Sequence, residues 1–332
     1  MKGILLVNLG TPDSPQTPDV RKYLREFLMD RRVIDVPYWK RFVLVQGIIA
    51  PTRAPKSAVC YKEIWLDEGS PLMVHGKSVT KKIQEKLGAD YKVVLAMRYQ
   101  SPSIENGLKE LIDAGVDSIK VVSMFPHYAS ASLGSVQEKV MEILSKYEVI
   151  PALEITSSFH DMPEMIQAFA ERGRQYPIDD YDHVLFSFHG LPERHIKKAC
   201  NSTTCLQGDC CGAMDDKNTM CYRAQCFDTA RLIAKELNLS EDRYTICFQS
   251  RLGRDPWIKP YTVEEVERLG KEGKKKVLVF CPAFVCDCLE TTFEISTEYQ
   301  EDFEKFGGEK LQLVEGLNDM PQWIDALEKL AK

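Results

Sequence analysis

The sequence predicts an α/β protein made of two Rossmann-like lobes, each a parallel sheet flanked by helices. Three observations carry this. Short apolar runs recur along the whole chain, at 4–7, 93–97, 119–124, 183–188, 244–248 and 277–280. Segments with helical apolar spacing stand between them, and that alternation is the pattern of parallel strands joined by crossover helices. Polar or sulfur residues stand at or just past the strand ends: Asn8, Arg98, Tyr128, His189, Gln249 and Cys281. Ligands of such sheets bind outside the carboxyl ends of the strands, so these residues are expected to line one cleft between the lobes.

The elements follow in order. After strand 4–7, Asn8 to Pro12 reads as a loop. A helix starts near Pro18, with Val20, Tyr23, Leu24, Phe27 and Leu28 on one face. Residues 50–57 read as a basic, proline-punctuated loop, and Glu68-Gly69-Ser70-Pro71 as a turn. Helices are expected at 74–87, 103–114 and 135–146, between the strands at 93–97 and 119–124. A weak strand at 153–155 and a helix at 162–175 open the second half. Further helices are expected at 224–237, 287–302 and 320–331. The expected division is 1–150 and 151–332, with a cysteine-rich insert at about 198–226. The halves share a rhythm, not a sequence repeat.

The chain has 332 residues, enough for a large core or two medium ones. A net charge of −6 argues against nucleic acid as the main partner. No run of 18 apolar residues is present and the chain opens directly into a strand, so the expected compartment is the cytosol. Eleven cysteines in such a chain are expected as thiols or metal ligands, not as a disulfide scaffold.

Three features bear on chemistry. His189 ends an apolar strand and precedes Gly190-Leu191-Pro192, a position as suited to function as to structure. Asp287, Glu290, Glu294 and Glu298 are spaced 3, 4 and 4 apart, which on an α-helix makes one carboxylate stripe. Such a stripe is most often a solvated face. Starting at a strand end, it also suits guiding a hydrated cation and handling protons. Six cysteines, Cys200, Cys205, Cys210, Cys211, Cys221 and Cys226, fall within 27 residues. Their spacing does not match paired zinc knuckles and supplies more than the four thiolates of an iron–sulfur cluster. Iron–sulfur, zinc and free redox thiols all remain open on spacing. Trp257 reads as a clamp over a flat ligand or as a loop anchor.

The chain resembles the ferrochelatases over almost its whole length. The marks are Val7-Asn8-Leu9-Gly10-Thr11-Pro12, Gly69-Ser70-Pro71-Leu72, Met97-Arg98-Tyr99, Phe125-Pro126-His127-Tyr128, Phe188-His189-Gly190-Leu191-Pro192, Gln249-Ser250-Arg251 to Pro256-Trp257, and Phe284-Val285-Cys286-Asp287-Cys288-Leu289-Glu290-Thr291. The resemblance implies a chelatase-like fold and insertion of Fe(II) into protoporphyrin IX to form protohaem. It implies that His189 and Glu290 are catalytic, on opposite faces of the macrocycle, with Asp287, Glu294 and Glu298 continuing an iron or proton path. It implies a porphyrin pocket of Leu9, Arg53, Arg98, Tyr99, Tyr128, Trp257 and Phe284. Leu9 stands where the related coproporphyrin-using enzymes tend to carry tyrosine, which favours protoporphyrin IX.

Animal ferrochelatases draw 2Fe–2S ligands from the loop near Tyr128 and from a C-terminal tail. Here the matching loop residue is Ser130 and the last residues hold no cysteine. The insert resembles that of bacterial members with an internal cluster, which implies Cys205, Cys210, Cys211 and Cys221 as 2Fe–2S ligands, with Cys200 and Cys226 in reserve. Substrate and product both partition into membranes, so transient contact with the inner face of the membrane is also expected.

Overall fold

The computed structural model describes residues 1–200, 205–251, 253 and 255–332. Residues 201–204 of the cysteine-rich insert, and Arg254 in the segment before Trp257, lie outside the described residues. The chain forms two compact units. One comprises Met1–Phe125, Ala129–Ser157 and Ile324–Lys332; the other comprises Pro126–Tyr128 and Ser158–Trp323. The end of the last helix, Pro321–Ala331, thus returns to the first unit, a connection that apolar periodicity cannot reveal.

Each unit is built on a four-stranded parallel sheet. In the first, β1 (Lys2–Gly10), β2 (Tyr91–Tyr99), β3 (Ser118–Ser123) and β4 (Ala152–Ile155) lie in the order β2-β1-β3-β4. In the second, β5 (His183–His189), β6 (Tyr244–Gln249), β7 (Lys276–Phe280) and β8 (Lys310–Leu313) lie in the order β6-β5-β7-β8. The order is the same in both units: the first strand is central, the second pairs on one side, and the third and fourth follow on the other. Strand β8 is short and alternates exposed and buried residues, and the sequence reading missed it.

Strand β1 runs past Val7 to Gly10, where a loop was expected. Gly10 sits at φ +119°, and a Cβ there would stand 2.0 Å from the carbonyl oxygen of Tyr99. Only glycine lets the two strand ends come this close. The turn expected at 68–71 serves as a helix cap, with Ser70 Oγ accepting from the Met73 amide, and Ser103, expected inside a helix, caps it instead through the Asn106 amide.

Residues 50–57 are not a loop. They belong to the helix Ala50–Ile64, preceded by the short helix Tyr38–Phe42 and the π-helix Val43–Ile49. Pro51 falls in the first turn, where no N–H donor is needed. Pro55 lies inside and costs about 3 kcal/mol. Burial of Tyr61 and Ile64 on the apolar face with Ala54 and Ala58 offsets this, at about 1.5–3 kcal/mol for each large side chain. Packing overrides local propensity here.

Candidate active site

Strand β5 delivers His189 as its last residue. It is the central strand at the point where the strand order reverses, with β6 on one side and β7 on the other. This is where open α/β sheets bind ligands. The ladder to β6 continues to the His189–Gln249 pair, while the ladder to β7 stops at Phe186–Phe280. The two chains therefore diverge above β7.

The turn after His189 is held by a second segment. The Gly190 amide donates to Gln249 O at 2.9 Å, the Glu193 amide to Pro256 O at 2.9 Å, and the Ile258 amide to Leu191 O at 3.0 Å. A Cβ on Gly190 would stand 2.6 Å from Gln249 O, so no side chain fits. These contacts set Trp257 beside His189, with ring centroids 6.5 Å apart. Phe284, from the loop after β7, flanks the same imidazole at 6.3 Å.

His189 Nδ1 lies 2.7 Å from the carbonyl oxygen of Gly190. A carbonyl only accepts, so Nδ1 carries the proton in the neutral ring. The lone pair is then on Nε2, the atom able to accept a proton or bind a cation.

The carboxylates do not share one helix. The expected helix at 287–302 is a π-helix, Leu289–Tyr299, followed by a short α-helix, Gln300–Lys305. π-Helical segments are rare and frequently stand at functional sites. Asp287 precedes the helix, and its carboxylate is occupied. Oδ1 accepts from Thr291 Oγ1 and the Gly316 amide, both at 3.0 Å, and Oδ2 accepts from Asn318 Nδ2 at 2.6 Å. It clamps the helix start to the loop after β8, which is structural work. Glu294 is also held: Oε1 accepts from the Ser250 amide and Tyr299 Oη, Oε2 from Gln249 Nε2 and Ser250 Oγ. Glu290 is half-buried and Glu298 exposed, so Glu290, Glu294 and Glu298 run outward along the helix. The buried Gln249 ties His189 to this helix. It pairs with His189 in the sheet and donates to the Glu290 carbonyl at 2.7 Å.

Burial raises the thiols of Cys281, Cys286 and Cys288 well above the ordinary range, Cys288 further through Glu290. They are inert packing groups. Among the described residues, no three His, Cys, Asp or Glu side chains close up as a metal-ligand group.

The insert thiols nevertheless converge. Burial, then hydrogen bonding to Cys200 and the neighbouring Cys210 and Cys211, pushes the Cys205 thiol up to about 12. Cys210 Sγ lies 3.5 Å from Cys211 Sγ. The Cys211 thiol hydrogen-bonds to Cys221 and so holds Cys221 below the usual thiol range. Cys226 is fully buried, and its thiol hydrogen-bonds to Tyr222. In donor chemistry this set suits an iron–sulfur cluster: all are soft thiols, and the Cys210 and Cys211 sulfurs already lie side by side.

In the first unit, Leu9 is half-buried near the end of β1 and Arg53 is exposed on the helix Ala50–Ile64. Arg98 and Tyr99 are turned to another purpose. Arg98 Nη2 pairs with Asp30 at 2.7 Å, Arg98 Nε donates to Ser135 Oγ at 2.7 Å, and Tyr99 Oη donates to Asp30 at 2.9 Å. Burial raises the Asp30 carboxyl, but Ser135, the Arg32 amide and Arg98 together leave it below the ordinary range. Tyr99 is fully buried. Its ring packs in the core, edge-on to Phe27.

Tyr128 is half-buried, and its amide donates to Gln225 Oε1 at 2.6 Å. Gln225 lies on the helix Tyr222–Glu236 that follows the insert. Two residues near His189 were not singled out in the sequence. Ser250 holds Glu294 from a left-handed backbone, φ 65°. Tyr222 donates through Oη to the His189 carbonyl at 2.8 Å. No spacing rule marks either one.

A sheet-end histidine at the reversal of strand order, with carboxylates on the helix after the third strand, defines a chelatase-type α/β protein. SirB from Bacillus subtilis with Fe3+ shares this fold, with a TM-score of 0.54 at 12% identity over 99% of this chain and 93% of that one. The sirohydrochlorin chelatase SirB from Bacillus subtilis subspecies spizizenii, in complex with cobalt, matches equally, with a TM-score of 0.54. The family model named Ferrochelatase matches residues 1–332. The ferrochelatase of Legionella pneumophila (strain Lens) is 48% identical over 329 residues, 99% of this chain and 98% of the relative. That of Coxiella burnetii (strain Dugway 5J108-111) is 44% identical over 331 residues, 99% of this chain and 93% of the relative. The chain belongs to the ferrochelatase family: it is a lyase that inserts iron into a porphyrin in haem biosynthesis.

Proposed function

We propose that the porphyrin is protoporphyrin IX and that His189 Nε2 takes a pyrrole proton as Fe(II) enters, with Glu290 acting from the other face of the ring. The reaction is redox-neutral: one Fe(II) enters and two pyrrole protons leave. The observation that carries this reading is the His189 Nδ1 contact with the Gly190 carbonyl, which leaves Nε2 as the basic atom. Trp257 and Phe284, flanking the imidazole, are suited to hold a flat macrocycle in a distorted shape that turns nitrogen lone pairs out of plane. Glu294 and Glu298 carry the cation or protons outward from Glu290, and Asp287 positions the helix they stand on. Leu9, Arg53 and Tyr128 contribute to porphyrin recognition, while Arg98 supports the first unit through its ion pair with Asp30.

Protoporphyrin IX and coproporphyrin III offered with anaerobic Fe(II) test the substrate. Protoporphyrin should be favoured at least tenfold in kcat/KM, and Leu9→Tyr should shift the ratio toward coproporphyrin. Equal use of both by the wild type rejects the assignment.

Cys205, Cys210, Cys211 and Cys221 are the proposed 2Fe–2S ligands, with Cys200 next to Cys205 and Cys226 withdrawn into the helix. When bound, the cluster supplies a cross-link that holds the insert together. The insertion step needs no electron from it. The purified protein should show 2Fe–2S visible absorption and EPR bands that Cys210→Ser and Cys211→Ser remove. Their survival in both variants rejects this ligand set.

The enzyme is proposed to work in the cytoplasm, in transient contact with an anionic membrane face. No described helix is long and apolar enough to cross a membrane. Tyr38, Trp39, Phe42, Val43, Ile48 and Val59 are nevertheless exposed. Residues 36–62 carry five Lys or Arg and no carboxylate, in a chain of net charge −6. Aromatic and basic residues together suit an anionic lipid surface. Binding to phosphatidylglycerol vesicles but not to phosphatidylcholine ones, lost in Trp39→Asp/Phe42→Asp, is the expected result. Equal binding by that variant rejects it.

A further inference from the structure

We infer that Tyr222 is a positioning residue for His189, and that through it the cysteine-rich insert governs the placement of the catalytic imidazole. The ladder from β5 to β7 stops three residues before His189. Beyond it, the His189 carbonyl accepts from Tyr222 Oη at 2.8 Å. The imidazole is tied to the next carbonyl through Nδ1 and Gly190 O. Rotation of the 189–190 peptide therefore moves the ring, and the Tyr222 hydroxyl resists that rotation.

Tyr222 is itself held by the insert. It is the first residue of the helix Tyr222–Glu236, and Cys221 is the N-cap. The Cys221 amide donates to Asn218 O at 2.8 Å, and the Asn218 side chain donates through Nδ2 to Ala213 O at 2.8 Å, so the insert holds the start of this helix. Tyr222 is buried, with its ring edge-on to His127, centroids 6.0 Å apart. A helix end is its least stable turn. Release of the Asn218 side chain would loosen this turn first and withdraw the hydroxyl from His189.

The effect should fall on kcat, because a small misplacement of a reacting group slows the step without weakening binding. Tyr222→Phe removes only the hydroxyl. It should lower kcat about tenfold, the equivalent of one buried hydrogen bond of about 1.4 kcal/mol, and change KM for protoporphyrin less than twofold. In the substrate-free protein, it should shift the imidazole 15N signals of His189 while leaving the other histidines in place. Asn218→Ala, which removes the side chain that anchors the start of the helix, should have the same effects. In combination, the two should lower kcat little further than either alone, because both act through one contact.

Wild-type kcat in Tyr222→Phe, an unmoved His189 signal, or fully multiplicative losses in the double variant would overturn the inference. If Tyr222→Phe does not fold, Asn218→Ala carries the test through the same kcat loss and His189 shift, and their absence is equally fatal. The inference rests on His189 as the insertion histidine. Turnover by His189→Ala sinks that reading, whereas an inactive His189→Ala with a normal Tyr222→Phe sinks only this one.

Discussion

The two units share a strand order and differ in what stands at the strand ends. In the second unit, the central strand ends on His189, whose Nε2 makes no hydrogen bond to the other described residues, and the helix after the third strand carries Glu290. In the first unit, the polar residues at the corresponding level serve one another: Asp30, Arg98, Tyr99 and Ser135 form a closed, buried set. Topology offers a ligand site at both sheets. Side-chain commitment decides which of them does the chemistry.

That contrast can be broken by substitution. Glu290→Gln should lower kcat about a hundredfold, the usual scale for a lost acid–base group, with Tm unchanged within two degrees or so. Steady-state kinetics alongside calorimetry would show this split. Asp30→Ala should do the reverse. It leaves a largely buried guanidinium without its partner, at a cost of roughly 3–5 kcal/mol. Denaturant unfolding should register that loss, while kcat per folded molecule stays within about threefold. If Asp30→Ala keeps full stability and loses turnover, the division between the units is wrong.

Asp287→Ala tests the same division within one unit. Three donors lose their acceptor, so the change should cost roughly 2–3 kcal/mol, and the catalytic loss should follow the loss of stability. Glu298→Gln, at the exposed end of the helix, should do least, raising KM for iron two- to threefold with kcat unchanged.

A smaller effect separates burial from catalysis. Burial, then the charges of Arg268, Lys274 and Arg243, lowers His183 to about 4 from 6.5, and burial also lowers His127. Both are protonated more readily in the unfolded chain. Stability from these groups is full above pH 6.5 and falls as the pH drops toward 4. Tm should therefore decline from pH 7 to pH 5, and His183→Gln should flatten part of that decline.

Much of the frame was legible because parallel strands buried on both faces read as plain apolar runs. The His189-Gly190 turn was legible because close backbone approach demands glycine, whereas Gly10 read as part of a loop and proved to be the end of β1. The carboxylate stripe was legible as composition but not as structure. The 3, 4, 4 spacing suggested one α-helix, whereas Asp287 stands before a π-helix and is consumed by Thr291, Gly316 and Asn318. Those partners sit four to 31 residues away, and no local rule pairs them. Arg98 and Tyr99 were read as pocket residues from a motif, and a motif does not disclose Asp30, 68 residues earlier. The helix Ala50–Ile64 was hidden by its two prolines, since its stability comes from packing. Tyr222 was invisible for a related reason: its only mark is a contact with a main-chain carbonyl 33 residues away.

The central claim is that insertion occurs at His189. The direct test is His189→Ala, read by Fe(II)-dependent loss of protoporphyrin fluorescence and by porphyrin binding without metal. The account expects turnover to fall about a thousandfold or more, with porphyrin affinity within a few-fold of wild type. Near-normal turnover in that variant would contradict it.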